Sequence, residues 1–194
     1  MIMNDLFISK VRVRIIKLFL TNPGSQFHVR EIARRVGAEI NAVRRELSRL
    51  RRIGFLKKTP RGNRIYYTVR PDFLFLDELL GMVAKETGLG QAILERRKEL
   101  GKINFAMLAK AFVRGRISKP SEVDLLIVGK VSTPLVSKLV ENEQQRLGRE
   151  VNYTILSPEE FDFRKKRKDP FIVDVFSQPR IVLLGNEEKY CKIP

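Results

Sequence analysis

The sequence predicts an α+β protein of two domains, and three observations carry that prediction. Over the first seventy residues apolar side chains recur at helical spacing in three successive segments, then give way to two short extended segments around a turn. From Ile103 the rhythm changes to strand, turn, strand, helix, strand, the pattern of an α/β unit. The net charge of +16 is concentrated at the front: residues 1–72 carry 17 Lys+Arg against 5 Asp+Glu, and the remainder carries 21 against 17. The expected division is a first domain over 1–70, a helical connector offering a dimer surface over 71–101, and a second domain over 102–194.

The composition narrows the function classes. With 43% apolar and 31% charged residues the chain reads as an ordinary globular protein, and no apolar run approaches the roughly 18 residues that span a bilayer, so no membrane association is expected. The opening "MIMNDLFISKVRVRIIKLFL" interleaves cations with apolar residues and has no small-residue cleavage site, unlike a signal peptide. A single cysteine, Cys191, leaves no internal disulfide and no cysteine zinc cluster, and the cytoplasm is the expected location. The lopsided charge points to a polyanionic partner for the first domain, nucleic acid ahead of a membrane surface.

Leu6, Val11, Ile15, Ile16 and Phe19 predict one amphipathic helix over Asp5–Leu20, ended by the Asn, Pro and Gly of "TNPGSQ". A short helix follows over "VREIARRVG", with Val29, Ile32, Ala33 and Val36 inward and Gly37 as its stop. His28, the only histidine, opens it and has no second His or Cys nearby, so a packing or helix-end role is expected rather than metal binding.

The third helix, "INAVRRELSRLRRIG", places Val43, Leu47, Leu50 and Ile53 on one stripe and Asn41, Arg44, Arg45, Ser48, Arg49 and Arg52 opposite. Arginine reads guanine bidentately, asparagine reads adenine, and serine or further arginine fixes phosphates. Only Glu46 interrupts the cations, so no ladder of ion pairs along the helix is expected to offset their repulsion. Two extended segments, 55–58 and 64–69, then flank the turn signal Pro60-Arg61-Gly62-Asn63. Helix, turn, arginine-lined helix and cationic hairpin together are the organisation of a winged helix-turn-helix. The candidate DNA-binding residues are Asn41, Arg44, Arg45 and Ser48 in the major groove, with Arg49 on phosphates and Arg61 and Arg64 on phosphates or in a minor groove. Double-stranded DNA is therefore the expected partner. Tyr66 and Tyr67 fall on opposite strand faces, one expected in the core and one exposed.

In the connector, Phe73, Phe75, Leu76, Leu79, Leu80 and Val83 lie at helical spacing, with Gly88 and Gly90 expected to break the helix before a second stretch through Ile93 and Leu94 to Leu100. It holds no catalytic constellation; a dimer surface, and hence a homodimer, is the expectation. In the second domain, "INFAMLAKAF" and "SEVDLLIVG" read as apolar strands. An amphipathic helix with the stripe Leu135, Leu139 and Val140 follows, then the strand "REVNYTILS", a mostly helical "PEEFDFRKKRKDPFIVDVF" and a last strand "RIVLLG". Glu122 and Asp124, two apart at the entrance of a strand, would point the same way, a workable start for a divalent cation. The run Arg164-Lys165-Lys166-Arg167-Lys168 reads as a disordered or solvated cationic cluster, or else a further contact for phosphate or an acidic partner.

From about Phe7 to Gly185 the chain resembles predicted transcriptional regulators that join an N-terminal winged helix-turn-helix to a minimal nucleotidyltransferase domain. The resemblance is carried by "SKVRVRIIKLF", "HVREIARRVG", "VRRELSRLRRIGFLK" and "RGNRIYYTV", and later by "RGRISKPSEVDLLIVG", "LGREVNYTILSPEEF" and "DPFIVDVFSQPRIVLLG". It implies a nucleotidyltransferase-like α/β domain with a mixed sheet. The family signature is a Gly-Ser pair shortly before Arg-Gly, then a strand of the form Ser-Asp-Ile-Asp. There the glycine lets backbone approach nucleotide phosphates, the serine offers a hydroxyl, and the aspartates hold Mg²⁺.

Aligned on Arg114-Gly115, the sequence has Lys110 and Ala111 in place of Gly-Ser, Glu122 in place of the first aspartate, and Asp124 as the second; Asn152 stands at the later strand where nucleotidyltransferases carry a third carboxylate. The departures imply lost catalysis, with no cofactor expected. On this reading the domain serves in ligand sensing, dimerisation or binding of a protein partner. The alternative is an active Mg²⁺-dependent nucleotidyltransferase modifying a protein or small acceptor, related to toxin–antitoxin pairs. It would keep Glu122 and Asp124 on metal, and Lys110 and Arg114 on the nucleotide.

Overall fold

The computed structural model describes residues 2–192, and the chain divides into two compact units between Val83 and Ala84. The first contains α1 (Ile2–Leu6), α2 (Lys10–Leu20), β1 (Phe27–His28), α3 (Val29–Val36), α4 (Ile40–Arg52), β2 (Leu56–Arg61) and β3 (Arg64–Val69). Helix α5 (Leu76–Glu86) crosses the division.

The helix expected over Asp5–Leu20 is two helices. Ser9 takes an extended conformation and its side chain accepts the Arg12 N–H at 3.2 Å, an N-cap that starts α2 afresh. Leu6 lies before the break and is exposed, Val11 is half-buried, and Val13 joins Ile15, Ile16 and Phe19 in the core. Helix α3 is opened by His28, whose Nδ1 accepts the Glu31 N–H at 3.4 Å, and it ends at Gly37. Ile32 and Val36 are buried while Val29 and Ala33 are half-buried. Helix α4 is opened by the Glu39 carboxylate, which accepts the N–H groups of Asn41 and Ala42 at 2.9 and 3.0 Å.

Helices α2, α3 and α4 pack on one another, and on them Ile15, Ile32, Val43 and Leu47 have no solvent exposure. Full burial of each such side chain contributes about 1.5–3 kcal/mol. The three-stranded antiparallel sheet has the order β1-β3-β2. The edge strand β2 carries Lys57, Lys58 and Pro60, which discourage pairing with a foreign strand. Its turn is tighter than expected: Pro60 and Arg61 belong to β2, and Gly62 and Asn63 alone form the loop. Gly62 sits at φ 54°, the left-handed conformation a two-residue hairpin needs at its first position.

The second unit continues with α6 (Gly88–Glu95), α7 (Arg97–Leu100), β4 (Gly101–Ala109), α8 (Lys110–Val113), β5 (Leu125–Val131), α9 (Thr133–Leu147), β6 (Tyr153–Leu156), α10 (Pro158–Lys166), α11 (Pro170–Ser177), β7 (Arg180–Leu184) and α12 (Glu187–Cys191). The expected break falls at Gly88, φ 54°, where α6 starts two residues after the end of α5; Gly90 lies within α6. The sheet order is β6-β5-β4-β7, with β5 and β6 parallel and the other pairs antiparallel, so the sheet is mixed.

Burial on both faces explains why β5 reads as an unbroken apolar run. Leu125 and Ile127 join Val136, Leu139 and Val140 of α9, whereas Leu126 and Val128 join Phe161, Ile172, Val175 and Phe176 of α10 and α11. Leu135, expected on the α9 stripe, is half-buried and Val136 takes the buried place.

Candidate nucleic-acid interface

The 3.6-residue period of α4 sorts its side chains. Val43, Leu47 and Leu50 are buried, and Asn41, Arg44, Arg45, Ser48, Arg49, Arg51 and Arg52 are exposed. Ile53, expected to extend the apolar stripe, follows the helix and is exposed. Arg44 Nη1 donates to Asn41 Oδ1 at 3.2 Å, so these two polar side chains lie together on the first turn.

Glu46 does not interrupt the cationic face; it points inward and is buried. Its Oε2 accepts from Arg12 Nε at 2.7 Å and its Oε1 from Arg49 Nη1 at 3.2 Å. The helix thus has an ion pair that sequence spacing alone did not lead us to expect, and Arg49 is partly engaged by it. Burial would push the Glu46 carboxyl up. Hydrogen bonds from Arg12 and Ser9, with the charges of Arg12 and Arg49, outweigh that and hold it below the ordinary carboxylate value.

Arg61 and Arg64 face each other at the end of the hairpin, both exposed. The Arg61 guanidinium lies over the Tyr66 ring, 5.8 Å from its centroid. Tyr66 and Tyr67 are both half-buried, so the expected division into core and exposed rings does not hold; Tyr66 spends its inner side on the edge of His28. His28, Arg30, Glu31 and Arg34 line a shallow depression of about 330 Å³ that the sequence did not single out.

In the second unit, Glu122 and Asp124 lie ahead of β5 rather than within a strand. Glu122 Oε1 accepts from Arg116 Nη2 at 2.8 Å and Oε2 from the Lys119 N–H at 2.9 Å. Chiefly the Lys119 N–H, helped by the Arg116 charge, holds the Glu122 carboxyl below its ordinary value. Asp124, 1% exposed, accepts from Ser118 Oγ through Oδ1 and from the Asn152 N–H at 3.0 Å through Oδ2. Asn152 also donates its side-chain amide to the Lys119 carbonyl at 2.8 Å.

All four carboxylate oxygens are therefore engaged, three of them by the 115–122 loop and the fourth by the Asn152 N–H. A Mg²⁺ ion requires near-octahedral oxygen ligands, and here a guanidinium already occupies one carboxylate, so the residues present do not fit that ion. Among the described residues no three His, Cys, Asp or Glu side chains converge as a metal site. Lys110, Ala111, Arg114, Arg116, Glu122, Gln178 and Pro179 line an open cleft of about 510 Å³. Lys110 opens the short helix α8, its N–H bonded to the Pro179 carbonyl at 2.9 Å.

Helix α10 ends inside the cationic run 164–168, at Lys166. Arg164 pairs with Glu160 at 2.8 Å, and Lys165 Nζ donates to the carbonyls of Lys189 and Tyr190 at 2.8 and 3.0 Å. No described helix is long and apolar enough to cross a membrane.

No protein-family model and no curated protein matches the sequence. Two solved structures are similar to it over 41% of this chain. One is reduced HlyU from Vibrio cholerae, 19% identical over 75% of its own chain with a TM-score of 0.33. The other is the homodimeric winged helix-turn-helix DNA-binding domain of a Mycobacterium bovis protein, 26% identical over 71% of its chain with a TM-score of 0.34.

Proposed function

We propose that the chain is a sequence-specific transcriptional regulator that binds double-stranded DNA through its first unit, and that its second unit, nucleotidyltransferase-like, does not transfer nucleotides. The observation that carries this reading is α4: one side is wholly buried, and the other exposes Asn41, Arg44, Arg45, Ser48 and Arg49 within a run of further arginines. That face enters a major groove, where Arg44, Arg45 and Asn41 read base edges and Ser48 fixes register. The hairpin supports it. Arg61 and Arg64 are direct cross-strand neighbours, an arrangement that costs stability in isolation and is relieved by a phosphate between them.

As a homodimer the protein takes a pseudo-palindromic site with half-sites about one or more helical turns apart. The second unit then serves as a ligand sensor, dimer surface or docking site for a protein partner. Commitment of Glu122 and Asp124 to Arg116, Lys119, Ser118 and Asn152 supports loss of catalysis. The competing reading, an active nucleotidyltransferase, draws on the cationic cleft lined by Lys110, Arg114 and Arg116.

Selection of bound duplexes from a random pool, with and without nucleoside triphosphates, tests the regulator reading and its coupling to a nucleotide. One enriched motif that is lost on Arg44→Ala supports the regulator. Retention of DNA with no motif removes sequence specificity, and no retention removes DNA binding.

A further inference from the structure

The arginines of the first unit fall into two groups by what they touch. Arg12 and Arg49 hold Glu46, Arg14 Nη1 caps the carbonyls of Val36 and Gly37 at 2.7 and 3.1 Å, and Arg35 binds Glu31 at 3.0 Å while lying over the Phe27 ring. Arg30 and Arg34 are different. They lie one turn apart on α3, both exposed, and their side chains make no hydrogen bond, ion pair or ring contact among the described residues. Like charges at this spacing repel.

Both line the depression of about 330 Å³ together with His28 and Glu31. The Glu31 carboxylate is the one acid in that lining, and Arg35 already neutralises it. His28 accepts the Glu31 N–H through Nδ1, so in the neutral ring the proton sits on Nε2, which remains a donor. Of the lining residues, His28 links the depression to the hairpin. His28 pairs with Tyr66 across the sheet, their rings meet edge to face at 5.8 Å, and Arg61 lies over the other part of that tyrosine. Arg61, Tyr66, His28, Arg30 and Arg34 are thus one continuous strip rather than two separate patches.

We propose that His28, Arg30 and Arg34 form a second seat for the backbone phosphates of the same DNA duplex, continuous with the wing through Tyr66. This rests on the reading of the first unit as a duplex-binding module. The occupant is a phosphodiester because guanidinium forks match phosphate oxygens and because the strip is long, open and cationic rather than enclosed. Such contacts position the protein and carry no sequence information.

The test compares the full chain with Arg30→Gln, Arg34→Gln and the double variant, each bound to a selected duplex and to a scrambled one over a range of salt concentrations. Each single change should make the slope of log K against log salt shallower by about one, and the double change by about two. The affinity ratio between the two duplexes should stay the same. Arg30→Lys with Arg34→Lys, which keeps the charge, should recover most of the slope, and unchanged circular dichroism excludes misfolding as the cause.

A wild-type slope in the double variant overturns the proposal while leaving duplex binding by α4 intact. Failure of the wild-type chain to bind any duplex overturns the underlying reading and this proposal with it. Saturable binding of inorganic phosphate at His28, seen by NMR, with duplex affinity unaffected in the variants, would assign the seat to a small anion instead.

Discussion

Arg12 and Glu46, 34 residues apart in sequence, meet through a 2.7 Å contact between Nε and Oε2 that ties the first turn of α2 to the middle of α4. The carboxylate is nearly buried and also holds Arg49, so one acid both anchors the proposed recognition helix and orients one of its cations.

Glu46→Gln should therefore destabilise the first unit by about 1.5–3 kcal/mol, the range for losing hydrogen bonds to a charged group. Faster hydrogen exchange of the α2 and α4 amides, with the β5 amides unaffected, is the readout. The pH dependence has a definite sign. Because the folded carboxyl titrates below its ordinary value of 4.5, its contribution is present above that value and is lost as pH falls through the lower folded pKa. The variant should lose this part of the acid sensitivity.

Arg44→Ala and Arg45→Ala should each weaken binding to a selected site by about 1–3 kcal/mol while changing non-specific binding far less. Competition titrations with specific and scrambled duplexes measure the difference. Equal losses on both would mean that these exposed arginines contact only phosphates.

Asp124→Asn should destabilise the second unit by about 1–3 kcal/mol, because the two bonds now donated to a charged carboxylate become neutral ones and the Ser118 hydroxyl must turn to accept from the new amide. Denaturant unfolding of the full chain, followed by exchange of the β5 amides, measures the cost. Incubation of the wild-type chain with labelled ATP, Mg²⁺ and cell extract should leave acceptors unlabelled. Label that appears with the wild type and vanishes with Asp124→Asn would establish catalysis instead.

Gly90→Ala should cost at least about 1–3 kcal/mol in the second unit, the usual range for overpacking. An added Cβ would stand 2.0 Å from the Ala84 carbonyl oxygen, a backbone atom that cannot swing aside. A melting temperature equal to that of the wild type would contradict the close approach of α6 to the end of α5.

Much of the candidate interface was legible because periodicity and chemistry coincide on α4. Val43, Leu47 and Leu50 had to face inward, and that placed Asn41, Arg44, Arg45 and Ser48 outward. The hairpin was legible from its turn residues, though the loop shortened once Arg61 and Arg64 paired. Other features were not readable in this way. The break at Ser9 depends on a side-chain cap, Glu46 looked like one more surface charge, and Arg30 and Arg34 resembled any arginines on a short helix.

The sequence by itself determined the element types, the arginine-lined helix and the departures of Lys110, Ala111 and Glu122 from a nucleotidyltransferase signature, because periodicity and residue chemistry are local properties. Only the tertiary structure decided which charges are paired: Arg12 with Glu46, Arg116 with Glu122, Ser118 and Asn152 with Asp124, and the Arg30 and Arg34 side chains with no partner among the described residues. Pairing depends on which distant segments the folded core brings within about 3 Å, the reach of a hydrogen bond, and no one-dimensional pattern encodes that distance.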